Sequence, residues 1–581
     1  MNKRLMIVLF LLFIGVKLAS AQSKNKNGDN KIVVVAGKPM TYTDSGAVKQ
    51  LFFSALRERT VESYTLAAEL FGRILQIDPS NDAAMFELGK IKRIQKDDAS
   101  ARDLFEKAVT VDRNNKYYWL SLAESYEKAN DLPKLENVFN ELIRIEPDNP
   151  EYLFDKANAL TIDKRYDEAL AIYKKVELQM GLSDEIIAAK QKIYLKQGKI
   201  NDAAAELEVM IKANPNKVRY YIDLSQVYNA NGFSDKALAV LAKAPKAGLD
   251  NGIIHLALAD VYKDKKDFSS SFGELKLAFA LPDVSIEQKI NIILGYLPKF
   301  PEPDAKASAL ELSRIMSVAH PENSKAFAIY GDMLSQNERY KEAKVVYRKS
   351  LQLDNQIYAA WEQLVRIELG DNALDEAIKD GEEALSIFPN QAWMNYLVGV
   401  AWLQKKNYNK ALAYVNNVPS LASENKELLS QAFSAIGDCY HAMKDNKLSD
   451  EAYDKSIEAN TDNVYTLNNF AYYLSVRNEQ LDKAAQMSKK SNEMQPNTAS
   501  FEDTYAWILF KQKKYADAKV WIEKAISHDK DKSAVQVEHY GDILFNLGDI
   551  DTAILNWKKA KQMGANNAVL DRKINEKKYV E

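Results

Sequence analysis

Apolar and polar positions alternate along this chain with the period of a helix, in short paired stretches that keep returning. Trp119, Leu122, Ala123 and Tyr126 fall on one helical face. The polar turn "KANDLP" follows, and Leu135, Phe139 and Leu142 then form a second stripe that Pro147 stops. Neither helix can bury its stripe alone; stacked against a neighbouring pair of the same kind, both can. Similar stretches start at Met85, Tyr221, Trp361, Trp393 and Leu467. A Gly-Asp flanked by apolar residues gives the spacing. It occurs at Gly331, Gly437 and Gly541, steps of 106 and 104 residues, close to three periods of about 34. About fifteen units of that period fit between residues 48 and 567.

The order of residue types within a unit resembles the tetratricopeptide repeat. One copy reads Val537, Tyr540, Gly541, Leu544, Ala553, Trp557 and Ala560; another reads Met85, Leu88, Gly89, Lys92, Ala101, Phe105 and Ala108. Small alanines take the same second-helix place at Ala67, Ala169, Ala237, Ala343, Ala377, Ala411 and Ala518. The resemblance implies an all-α fold, a right-handed α-solenoid of antiparallel helix pairs. The expected organisation is a signal peptide at 1–21, a flexible segment at 22–47 and a first array at 48–285. An irregular repeat or joint follows at 286–323, where "YLPKFPEP" carries three prolines, then a second array at 324–567 and a polar capping tail at 568–581. Within a unit, the glycine of Gly-Asp marks where the two helices pack closely; Ala123, Ala157, Ala259 or Ala471 stands there in other units. The aspartate is expected to turn toward the other face. The Gly-Asp copies lie far apart along a solenoid, so they cannot form one catalytic cluster.

Composition agrees with a helical protein: Gly (21) and Pro (15) are sparse among 581 residues, and charges of both signs are interspersed. The opening "MNKRLMIVLFLLFIGVKLASAQ" changes the picture. Lys3 and Arg4 precede an apolar run from Leu5 to Val16, and Ala19-Ser20-Ala21 is a small-x-small site. This reads as a secretory signal cut after Ala21. The run is too short to span a bilayer, and no membrane span is expected in the mature chain. Loss of Lys3, Arg4 and Lys17 shifts the formal charge from -3 to about -6. That gives no electrostatic reason to bind nucleic acid. Cys439 is the single cysteine, so no intramolecular disulfide forms; its place in an apolar helix pattern predicts a buried thiol.

Candidate chemistry is sparse. His255, His320, His441, His528 and His539 make no zinc-spaced pair, and no phosphate loop, dinucleotide fingerprint or nucleophile elbow is present. Catalytic residues, metals and cofactors are therefore not expected. A repeat array offers a concave face instead, and the resemblance implies that first helices line a groove for a protein or peptide partner. By helical phase, Trp393, Tyr396, Asn468, Asn469, Tyr472, Trp507 and Phe510 point into it. Rings supply contact area and amides pair with backbone. The competing reading is that some of these rings fill the core, because a phase error of one residue swaps the faces. The family's clamp for a C-terminal carboxylate is not matched: Ser434 and Asp438 stand where Lys and Asn are wanted.

Residues 22–30 are polar, and Ile32 to Ala36 is a short β-like run read as a loose extension. "NNAVLDRKINEKKYVE" reads as a polar helix capping the last repeat. The sequence therefore predicts a non-catalytic exported scaffold. A resemblance to long periplasmic repeat proteins places it in the periplasm of a Gram-negative bacterium, in envelope assembly or secretion. Alternatives are a glycan- or peptidoglycan-binding module and a chaperone of unfolded chains.

Overall fold

One kind of turn, used again and again between the two helices of a pair, sets the repeat. The first helix ends on a residue with positive φ, at Glu62, Lys96, Asn130, Lys164, Gly198, Gly232 and Lys266, each 34 positions after the last. The next amide then reaches back across the turn: Asp97 N–H bonds to the Lys92 carbonyl and Asp131 N–H to that of Tyr126, both at 2.9 Å. Those same aspartates start the second helix, their carboxylates accepting from Ser100 N–H and Lys134 N–H. One residue thus closes a helix and the next opens its partner.

The computed structural model describes residues 41–246, 248–300, 302–530 and 533–581. Among these the chain is all helical, with no strand, and its helices form fifteen consecutive antiparallel pairs. It is an α-solenoid of paired helices, as the sequence implied. The chain divides into two compact units, one ending at Asn214 and the other starting at Pro215. The first unit stacks five pairs, Tyr42–Thr60 through Ile200–Ala213; the second stacks ten, Val218–Ala230 through Ile550–Gln562, and adds the helix Ala568–Glu576. The division falls at 214/215; the stretch 286–323 lies inside the second unit, with its first helix cut to Ile286–Leu294 before a 3-10 turn at Leu297–Lys299. The expected signal peptide at 1–21 and the run Ile32 to Ala36 lie outside the described residues. The first helix starts at Tyr42, ahead of the expected residue 48. Thr41 and Asp44 form a capping box, each side chain bonded to the other's backbone N–H, which holds that start.

The second-helix alanines Ala67, Ala169, Ala237, Ala343, Ala377, Ala411 and Ala518 are all at 0% exposure. Each is small because a neighbouring helix lies against it. The Gly-Asp copies resolve into a built device. A Cβ on Gly331 would lie 2.6 Å from the Tyr347 ring, on Gly437 2.9 Å from Tyr453, and on Gly541 2.5 Å from Trp557. The ring stands 16 residues on in each case.

The aspartate does not turn toward the other face. It accepts a hydrogen bond from the polar atom of that same ring: Tyr347 Oη to Asp332 Oδ1 at 2.6 Å, Trp557 Nε1 to Asp542 Oδ1 at 2.9 Å, and Tyr453 Oη to Asp438 Oδ1. The ring is buried, so its polar atom needs a partner. In the copy at Gly89 the ring is Phe105, which has no polar atom, and Lys90 replaces the aspartate. In the copy at Ala157 the ring is Tyr173, and Asn158 accepts its hydroxyl.

The amide that serves at Asn158 can be tried at Asp438. Burial pushes the Asp438 carboxyl up to about 6, although Tyr453 and Tyr473 both donate to it. The folded value lies above the ordinary 3.8, so the native state holds the proton more tightly, and stability falls as pH rises through that window. Asp438→Asn keeps an acceptor for Tyr453 and removes the charge. It is expected to match the parent near pH 4 and to be more stable by about 1 kcal/mol above pH 7. A rise from 3.8 to about 6 corresponds to roughly 3 kcal/mol, and solvent reaching the partly exposed side chain reduces it. Thermal unfolding across that pH range checks it; parallel curves for the two proteins would refute it.

Candidate functional site

Adding the repeat period to Asn468 gives Glu502, and adding it again gives Gln536. These residues occupy the same place on three successive first helices, Val464–Val476, Ala499–Lys511 and Ala534–Asn546. Together with the loops leading into the last two helices, their faces line an open groove of about 690 Å³. Asn468, Asn469, Tyr472, Asp503, Gln536 and His539 form its floor and walls.

The groove is polar and its charged groups are held in place. His539 Nδ1 bonds to Asp503 Oδ1 at 2.8 Å, and His528 Nδ1 bonds to the buried Glu502 carboxylate at 2.8 Å. Burial acts to lower the His539 imidazole, but the Asp503, Asp542 and Glu538 carboxylates outweigh it, so its pKa stands above the ordinary value. Burial pushes the Tyr472 phenol up, and the Asp503 charge adds to this. Among the described residues of the groove lining, two buried amide oxygens have no protein partner: Oδ1 of Asn468 and Oε1 of Gln536, in side chains 7% and 5% exposed. Both oxygens are themselves covered by protein, and leaving a buried acceptor unmet costs about 1–3 kcal/mol.

The predicted residues separate. Asn468, Asn469 and Tyr472 line the groove. Trp507 stands behind its wall, stacked on His539 with ring centres 4.1 Å apart and on Phe510 at 4.9 Å. Phe510 is a correction: it is 5% exposed and packs with Leu509, Ile522 and Ile543, so it belongs to the core. Trp393 and Tyr396 also pack inward, against Val418, Leu428 and Ala432, and the Arg366 guanidinium lies 4.4 Å from the Trp393 ring centre. Both sit on Ala392–Gln404, outside the groove lining. Sequence reasoning missed Asp503, His528, Gln536 and His539. The period alone could have supplied Gln536 from Asn468; the histidines arrive by side-chain reach and carry no periodic signal.

Other concentrations of polar chemistry are structural. A depression of about 540 Å³ in the first unit is crossed by ion pairs, Lys128 with Asp98 at 2.6 Å and Arg93 with Glu124. The fully buried Lys289 donates to the Phe279 and Leu281 carbonyls at 2.9 and 2.7 Å, tying down a helix end, and burial lowers it to about 8. Glu368 has no exposed side-chain surface, and burial beside Asp380 pushes it up to about 8 while Arg348 holds its Oε1 at 2.7 Å. The Cys439 thiol is buried, which raises it to about 12. No group of residues able to hold a metal, and no helix long and apolar enough to cross a membrane, occurs among the described residues.

Residues 55–118, 120–181 and 192–269 match the tetratricopeptide repeat, and so do 324–357 and 430–463. The chain is similar to a TPR repeat-containing protein of Methanocaldococcus jannaschii, 24% identical over 63% of this chain and 67% of the relative. It is also similar to the Hsp70-Hsp90 organising protein of Plasmodium falciparum, 26% identical over 26% of each chain. It thus spans only about a quarter of that second relative. Among solved structures, a tetratricopeptide repeat protein from Parabacteroides merdae aligns over 44% of this chain and 98% of its own, at 19% identity and a TM-score of 0.35.

Proposed function

Because the chain is a tetratricopeptide-repeat protein, a class built to hold other proteins, we propose that it is a non-catalytic scaffold. It holds an extended segment of a partner protein in the groove of the second unit. The observation that carries this is the open groove of about 690 Å³, lined with polar side chains from three successive first helices, Asn468, Asn469, Asp503, Thr504 and Gln536 among them. An extended backbone offers N–H and C=O groups to such a lining, and Tyr472 supplies contact area beside it. A glycan platform needs open ring faces. Trp393 carries Arg366 at 4.4 Å, and Trp507 is stacked on Phe510 and His539, so these rings are already engaged.

The site of action in this reading is the periplasm of a Gram-negative bacterium, where the scaffold serves envelope assembly or secretion. Its support is the sequence of residues 1–21 alone. A reporter fused after residue 30 and active only outside the cytoplasm tests that part.

For the groove, a photo-crosslinking residue at Ser500, on the lining, is expected to capture a discrete partner. The same probe at Lys489, an exposed second-helix residue, is expected to capture it at least about 10-fold less, and Asn468→Ala with Tyr472→Ala to abolish capture at Ser500. Equal capture from both positions would sink the reading.

A further inference from the structure

On the helix Ala499–Lys511, Ser500, Asp503, Thr504, Trp507, Phe510 and Lys511 share one face. Its first half lines the groove. Its second half is covered, and the cover comes from this chain. After Ala568–Glu576, Lys577 takes a left-handed conformation (φ 51) and turns the chain back. The Tyr579 ring then meets the Phe510 ring edge to face, with centres 5.5 Å apart and interplanar angle 69°. Lys573 Nζ lies 5.5 Å from the centre of the same tyrosine ring, and burial raises the phenol above its ordinary pKa. Two residues on, the Glu581 carboxylate pairs with the Lys511 ammonium, whose side chain is 9% exposed.

These contacts are separate from capping. The last pair is covered by Leu570, which is fully buried with Trp557 and Ala560, and by Lys573. Tyr579 and Glu581 instead reach a helix some seventy residues back in sequence. Lys577 and Lys578, which make no such contact, are exposed. The pattern is that of a short ligand with two anchors: a ring in an aromatic seat and a carboxylate on a nearly buried ammonium.

We propose that the segment 577–581 is an internal ligand. It fills one end of the inner face whose other end is the open groove, and the seat it occupies takes an aromatic side chain followed two residues later by a carboxylate. A partner segment with that pattern displaces it and runs on past Trp507 into the groove. The inference rests on the groove reading only for where the displaced path leads. Failed capture at Ser500 would leave the seat standing.

The test uses the full chain carrying Tyr579→Ala and Glu581→Ala, and a synthetic peptide copying residues 575–581, NEKKYVE. Saturation-transfer NMR at millimolar peptide is expected to show magnetisation reaching the peptide's tyrosine ring with the double variant. With the unaltered chain the peptide is expected to bind at least about 10-fold more weakly, because a tethered ligand competes at an effective concentration in the millimolar range or above. A peptide with its tyrosine replaced by alanine is expected to give no transfer. Equal transfer from both chains overturns the proposal, as does no transfer from a double variant of unchanged helix content. Glu581→Ala alone removes only an exposed carboxylate, and the same comparison with it guards against a folding artefact.

Discussion

Gly541→Val is expected to cost about 3 kcal/mol or more and to open the last repeat first. A single Cβ there would lie 2.5 Å from Trp557 Cδ1, 2.6 Å from its Nε1 and 3.1 Å from the Ala553 carbonyl. Trp557 is at 0% exposure and its Nε1 is fixed by Asp542, so the ring cannot move aside without breaking that bond. Overpacking a filled core costs about 1–3 kcal/mol, and the two further methyl groups of valine and a strained indole hydrogen bond take the loss to the upper end. Gly72→Ala gives the opposite sign. Gly72 also lies mid-helix, on Tyr64–Ile77, but a Cβ added there would have nothing within 4 Å. Only helix propensity acts at that site, and it favours alanine by about 0.5–1 kcal/mol. Repeat arrays unfold by parts, so hydrogen exchange of the helix Ala534–Asn546 is the decisive readout. If it is unchanged in Gly541→Val, the close packing assigned to Gly-Asp is wrong.

Lys573→Met is expected to cost about 3–5 kcal/mol, because it strands a buried carboxylate. Lys573 Nζ donates to Asp542 Oδ2 at 2.7 Å and to Glu538 Oε1 at 2.9 Å, with the Lys573 and Asp542 side chains 5% and 1% exposed. Burial raises the Asp542 carboxyl above its ordinary pKa, while Lys573 opposes that rise. Removing the ammonium raises it further. The folded value then exceeds the unfolded one by more, so the variant loses stability as pH rises and recovers part of it when acid protonates Asp542. The double change Lys573→Met with Asp542→Asn keeps an acceptor for Trp557 and is expected to regain most of the loss. Thermal unfolding at pH 4 and pH 7.5 tests both statements; a penalty equal at the two pH values would refute the account. The same substitution frees the helix Ala568–Glu576 that carries the segment 577–581.

The glycines at 331, 437 and 541 are recognisable from sequence as packing positions, since a recurring residue at a fixed place in a repeat answers to the same neighbour each time. The role of their aspartates is not, because it is visible only once the ring 16 residues on is seen to bring its polar atom there. At the start of one repeat the apolar stripe points to Trp119, while the residue at 5% exposure is Tyr118. A step of one residue turns a helix by about 100°, enough to exchange the buried and the open side.

The same margin divides the groove residues. Asn468, Asn469 and Tyr472 line it, but Phe510, further along the face of Ala499–Lys511 that carries Ser500 and Asp503, is buried by Tyr579 and by core neighbours. The sequence by itself determined the helix pairs, their period, the alanine and glycine contacts and the absence of a common centre for the Gly-Asp copies. All of these depend on residues within one repeat or the next, so spacing encodes them. Only the tertiary structure decided which end of an inner face stays open, where His528 and His539 meet their carboxylates, and that Tyr579 and Glu581 return to Phe510 and Lys511. Those contacts depend on side-chain reach and on a turn of the chain outside the repeat, and neither leaves a period in the sequence.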